Sequence, residues 1–110
     1  TFFKLDNGID TGKIINQKKI KIIKNETVGK LYKKIEKIII TQINEIIICF
    51  ENNNLKFKNQ NLSIGNYWRK RDDLDSKIDF RMSSVTIEKL VRALTHPYVG
   101  AHISINKKKY

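Results

Sequence analysis

At 110 residues the chain is one domain at most, and a free-standing domain of this size buries roughly two thirds of its unfolded surface. Its 22 basic residues against 11 acidic ones give a formal charge of +11, the footprint of a nucleic-acid binder or of a protein that sits on an anionic surface. The single Cys49 excludes a disulfide framework within the chain and leaves a metal site without a thiol cluster, while Gln42, Asn44 and Glu45 interrupt any apolar run of membrane-spanning length.

Taken in order, Phe2, Phe3 and Leu5 form a strand-like run, and Ile14 and Ile15 form another. Between them lies LDNGIDTGK, in which Gly8 and Gly12 supply backbone freedom where a side chain would block close approach. Residues 13 to 23 read as an extended segment, with Ile20 and Ile22 alternating with lysines. From Thr27 the spacing changes to steps of three and four through Val28, Leu31, Tyr32, Ile35, Ile38, Ile39, Ile43, Ile46, Ile47 and Phe50, which predicts one long helix or two successive ones. Thr27 is placed to cap its start and the polar run 51 to 54, ENNN, to stop it. Isoleucine is a modest helix former, so packing must hold this helix; its wide apolar face is expected to lie on a sheet, with Cys49 a small core residue.

Residues 55 to 68 read as a loop with short extended pieces. Ser84 or Thr86 starts the next helix, with Val85, Ile87, Leu90, Val91 and Leu94 on one face and Pro97 ending it. Tyr98 to Tyr110 then reads as a strand and a lysine-rich turn. His96 is expected to close the helix end, and His102 to be a strand residue. The chain starts inside a strand-like run without an initiator Met and stops just after another begins, so it reads as a piece of a longer protein, soluble and cytoplasmic, with no membrane contact.

Two clusters carry chemistry. The Asp6 to Gly12 loop can hold a carboxylate, Asp10, against a ligand; equally, it can be an ordinary turn in which Asp6 or Asp10 bonds its own backbone. The basic-aromatic cluster Tyr67, Trp68, Arg69, Lys70 and Arg71, with Phe80 and Tyr98 further on, can stack a base and pair a diphosphate, or can be a satellite core beside a solvated face neutralised by Asp72, Asp73, Asp75 and Asp79.

Asp6, Gly8, Asp10 and Gly12 resemble, position by position, the Asp-loop of the formyltransferases that use 10-formyltetrahydrofolate. ETVGKLY, residues 26 to 32, resembles the start of the helix after that loop. Residues 69 to 101 resemble the family's basic stretch, Ile-Asp-aromatic segment and Arg-Ala helix end, with a Pro-aromatic-x-Gly-Ala turn. The resemblance implies an α/β fold, the C-terminal portion of a Rossmann-like formyltransferase domain running into a small β-rich region. It divides the chain into 1 to 60 as the end of the catalytic domain, 61 to 97 as a connecting segment and helix, and 98 to 110 as the start of the β region.

By the same resemblance Asp10 is the catalytic carboxylate that works with an Asn-x-His pair, and Leu5, Asp6, Asn7, Gly8 and Ile9 line the pteridine pocket. Neither His96 nor His102 stands in an Asn-x-His setting, so the chain alone is expected to be inactive. The formyl donor is 10-formyltetrahydrofolate, and no metal is required. The acceptor is expected to be a nucleotide-linked amino sugar in glycan biosynthesis, because THPYVGAH has Val99 where the tRNA enzymes usually carry Pro. Tyr67, Trp68, Arg69, Arg71 and Tyr98 are then the acceptor-binding residues. Methionyl-tRNA is the alternative acceptor, a homodimer is an expected assembly, and a non-catalytic basic binding domain is the reading from a different class. Against that last reading, 18 of the 22 cations are lysine, whereas nucleic-acid faces favour the planar fork of arginine.

Overall fold

The computed structural model describes residues 1–110. The chain divides into two units: Thr1–Lys21 with Lys34–Tyr67, and Ile22–Lys33 with Trp68–Tyr110. Length alone argued for a single core; instead Leu94 is the only buried hydrophobic side chain, so neither unit holds a large apolar interior.

In the first unit, β1 (Phe2–Phe3) pairs antiparallel with β2 (Ile14–Asn16), with a register irregularity between Phe2 and Phe3. Ile14 also exchanges both main-chain hydrogen bonds with Lys58, at 2.8 and 2.9 Å. Helix α1 (Val28–Glu51) is one continuous helix, and its first turns belong to the second unit. A polar network fastens β2 to it. Buried Gln42 donates Nε2 to Asn16 Oδ1 at 2.9 Å, Asn16 Nδ2 donates to Glu45 Oε2 at 3.0 Å, and Lys18 Nζ meets Glu45 Oε1 at 2.7 Å. The Lys18 and Asn16 hydrogen bonds hold the Glu45 carboxyl below its ordinary range.

The helix ends as its sequence indicates. Asn53 takes a positive φ of 52°, and the amides of Asn53 and Asn54 return to the carbonyls of Phe50 and Cys49. At its start, the Thr27 carbonyl accepts the Leu31 amide.

Two expectations need correction here. The extended segment over 13 to 23 is a strand only at Ile14–Asn16; beyond it the backbone joins no strand ladder, and Ile22 and Ile23 stand exposed. Cys49 is half-buried, not a core residue: it lies on the partly covered stripe of α1 with Gln42, Glu45 and Ile46, and that stripe buries no hydrophobic side chain.

In the second unit, a 3-10 turn (Asp73–Ser76) is closed by a reciprocal cap. Asp72 Oδ1 accepts the Leu74 amide at 2.8 Å while the Asp72 amide donates to Asp75 Oδ2 at 2.9 Å. Helix α2 (Ser84–Leu94) begins one residue after its cap, Ser83, whose Oγ accepts the Thr86 amide at 3.2 Å. The chain leaves α2 through Thr95 and a cis His96–Pro97 bond. His102 then bridges in parallel to Lys77: its amide donates to Ser76 O at 2.9 Å and its carbonyl accepts the Ile78 amide at 2.7 Å.

The last element is a hairpin of β3 (Ser104–Ile105) and β4 (Lys108–Lys109). Its two turn residues, Asn106 and Lys107, both have positive φ, the geometry that suits the right-handed twist of flanking strands. Both α and β elements are present as expected, but every strand pair is short and antiparallel.

Candidate functional site

The Leu5 to Gly12 loop is built by main-chain constraints on both sides. The Lys4 amide donates to the Lys13 carbonyl at 2.9 Å, closing the base of the loop. A Cβ added to Gly12 would lie 1.5 Å from the Lys4 carbonyl oxygen, so only glycine permits this approach. Inside the loop, Asp6 Oδ1 accepts the Gly8 amide at 3.0 Å and the Thr11 hydroxyl at 2.6 Å, and these bonds hold its carboxyl below the usual range. Asp6 thus serves the turn itself, as the plainer reading of the sequence had it.

Asp10 is different. It is exposed at a positive φ of 56°, and its carbonyl accepts Gln60 Nε2 at 2.8 Å. The same Gln60 nitrogen donates to the Gly12 carbonyl at 2.6 Å, so one side-chain amide clamps the backbone on both sides of Thr11. The clamp uses only the Asp10 main chain and takes none of its carboxylate's bonding capacity. Gln60 has no counterpart in the sequence reading: a lone glutamine fifty residues away in a polar stretch carries no local signal.

Beside the loop a cleft of about 340 Å³ is lined by Lys4, Leu5, Asp6, Gly12, Lys13 and Phe57. Leu5 and Ile9 are 84% and 79% exposed, and the carbonyls of Leu5 to Ile9 make no hydrogen bond within the chain. Of the residues from Leu5 to Ile9, Leu5 and Asp6 line this cleft.

The basic-aromatic cluster behaves otherwise. Arg69 places its fork on Asp75, at 3.0 and 2.5 Å, and Arg71 Nη2 donates to the Asp75 carbonyl at 3.3 Å. Both arginines therefore converge on one 3-10 turn; the hydrogen bond that Arg69 donates to Asp75 raises the Arg69 pKa, and the Asp72 amide followed by Arg69 lowers that of Asp75. Asp79 is engaged by Arg81, whose side-chain and main-chain donors pull its pKa down to about 2. Asp73 pairs with Lys109. Of the four aspartates, Asp75 and, at 3.9 Å, Asp72 neutralise Arg69, whereas Asp73 and Asp79 pair with cations outside the cluster.

Tyr67 and Trp68 are each 87% exposed. Tyr98 directs its hydroxyl to Tyr32, with ring centroids 6.1 Å apart. His96 is exposed after α2, whereas His102 is buried, with Nε2 3.8 Å from Asp73 Oδ2. No three His, Cys, Asp or Glu side chains come together as a metal-binding group, and no helix is long and apolar enough to cross a membrane.

Residues 70–110 match the family described as formyl transferase, C-terminal domain. The chain is 30% identical over 106 residues to a methionyl-tRNA formyltransferase of Nitrosospira multiformis, covering 96% of this chain and 34% of that protein. It is 31% identical over 109 residues to the bifunctional polymyxin resistance protein ArnA of Wigglesworthia glossinidia brevipalpis, covering 99% of this chain and 17% of that protein. A methionyl-tRNA formyltransferase of Legionella pneumophila is 25% identical over 93 residues, 84% of this chain and 30% of that protein. These matches support the formyltransferase family for this chain. It spans about a third of the length of the methionyl-tRNA formyltransferases it matches, and less of ArnA.

Proposed function

We propose that residues 1–110 are the Asp-loop-bearing part of a cytoplasmic N-formyltransferase that moves a formyl group from 10-formyltetrahydrofolate to the amino group of a nucleotide-linked amino sugar. The observation that carries this reading is the Asp10 backbone clamp: the loop is held rigidly by Gln60 and Gly12 while the carboxylate stays exposed. Bound at the cleft rim, the folate supplies an activated formyl carbon, and the exposed main-chain groups of Leu5 to Ile9 would hold its pteridine.

Asp10 then has two tasks. Its carboxylate orients and charge-stabilises an imidazole supplied from outside residues 1–110, and it orders the water through which the acceptor amine loses its proton. Residues 1 to 60 complete a Rossmann-like catalytic domain, 61 to 97 connect, and 98 to 110 open the β-rich region. By themselves residues 1–110 lack the Asn-x-His pair and do not turn over. Val99, standing where the tRNA enzymes usually carry Pro, supports the amino-sugar acceptor over tRNA.

A second reading, transfer to methionyl-tRNA, is favoured by the charge of +11 and by the names of two of the relatives. The two separate in one experiment. The intact protein is given 10-formyltetrahydrofolate with amino-sugar nucleotides or with methionyl-tRNA, and formylated product is read by mass spectrometry across a salt series. Formylated sugar nucleotide with a shallow salt dependence supports the first reading; formylated tRNA with a steep one replaces it with the second. Absence of product with both acceptors refutes formyl transfer to either.

A further inference from the structure

The start of α1 and the segment from Arg92 to Tyr98 are joined by three separate contacts within the second unit. Arg92 Nη1 donates to the Glu26 carbonyl at 2.8 Å. Gly29 lies so close to the His96 carbonyl that a Cβ would stand 2.8 Å from its oxygen. The Tyr32 and Tyr98 hydroxyls share a hydrogen bond, with their rings tilted by 52°. Beyond this seam comes the exposed turn through Val99 and Gly100, anchored by the Tyr98 amide on the Thr95 carbonyl at 3.1 Å.

We infer that Tyr32, supported by Gly29, is a positioning residue that sets where the Tyr98 to Gly100 turn presents itself to the acceptor. This rests on the reading of that turn as acceptor-facing. Tyr32 lies on a helix and touches no reacting atom, so its effect travels through one hydroxyl. That hydroxyl bond ties the turn to α1. Gly29 acts by absence of a side chain: the helix approaches the His96 carbonyl closely enough for the tyrosines to meet. The Tyr98 hydrogen bond also raises the Tyr32 phenol above its ordinary titration range, which gives the pair a signature independent of turnover.

The test uses the intact enzyme with Tyr32→Phe, Tyr98→Phe and the double variant. Tyr32→Phe is expected to raise the acceptor KM roughly three- to tenfold, the size of one hydrogen bond, with kcat and the donor KM unchanged. The double variant should be no worse than either single one, because both remove the same contact. Full additivity, an unchanged acceptor KM, or a loss of kcat and thermal stability together in Tyr32→Phe would overturn the proposal. Ultraviolet titration of the tyrosines tests the seam even if neither acceptor is formylated. In the unsubstituted protein one phenol should titrate above the rest and return to the ordinary range in Tyr98→Phe. A phenol that is unmoved by Tyr98→Phe refutes the hydroxyl contact whatever the acceptor is.

Discussion

Replacing Gly12 with alanine is the sharpest perturbation of the Asp-loop that can be made with a single carbon. The added Cβ would stand 1.5 Å from the Lys4 carbonyl oxygen and 2.7 Å from its carbon, where ordinary contact begins at 3.4 Å. The obstructing atoms are main chain, so relief requires the two strands at the base of the loop to part by about 2 Å. Overpacking of that kind costs about 1–3 kcal/mol. Parting also stretches the 2.9 Å Lys4 to Lys13 hydrogen bond, worth about 1 kcal/mol net. The sum, about 2–4 kcal/mol, is a large share of the stability that a small domain commands. Gly8→Ala is the control: its Cβ meets the Thr11 hydroxyl at 2.1 Å, a side chain that can rotate away, so the loss is smaller. Urea unfolding of the 110-residue chain followed by circular dichroism, with amide exchange at Lys4 and Ile14, measures both. A Gly12→Ala variant within about 0.5 kcal/mol of the parent, with Lys4 still protected, would refute the steric argument.

Further outcomes follow from the second unit. Asp79, held at about 2 against an ordinary 3.8, contributes stability that is fully present above pH 3.8 and is lost as pH falls toward 2. Its carboxyl carbon should titrate near 2 by NMR, and Arg81→Gln should return it toward the ordinary value; high salt weakens the effect because Arg81 is exposed. Ser83→Ala removes the α2 cap and should cost about 1 kcal/mol in thermal unfolding, with Ser83→Asp recovering most of it. Leu94→Ala opens the one buried apolar position and should cost about 2–5 kcal/mol, read as a lowered urea midpoint.

Elements whose signal is local were legible in the sequence. The three- and four-residue spacing from Val28 and the asparagines after Glu51 marked α1; for α2 the expected starts were Ser84 or Thr86, and the cap is Ser83, one residue before the first of them. The alternation of Ile20 and Ile22 misled, because a strand needs a partner and none pairs there; β2 ends at Asn16, whose side chain bonds Gln42 and Glu45 on α1. In the loop, the glycines announced a close approach, and Gly12 against Lys4 is that approach. What fixes Asp10, however, is Gln60, a contact across fifty residues that no spacing encodes. The arginines at 69 and 71 looked like a free anion site on composition; the structure turns both inward onto Asp75 because the 3-10 turn that follows them presents its acceptors there. Tyr98 was legible as part of a turn, but its partner Tyr32 was indistinguishable from the other apolar positions of α1.

Asp10→Asn in the intact enzyme asks whether Asp10 is the catalytic carboxylate proposed above. The side chain keeps its size and the Gln60 clamp, which uses only the main chain, so the fold and folate affinity should be retained. Turnover with 10-formyltetrahydrofolate is expected to fall by about 10²–10⁴-fold, the usual share of a positioned acid–base group. Turnover within roughly twofold of the parent, under conditions where the parent formylates its acceptor, would contradict the account.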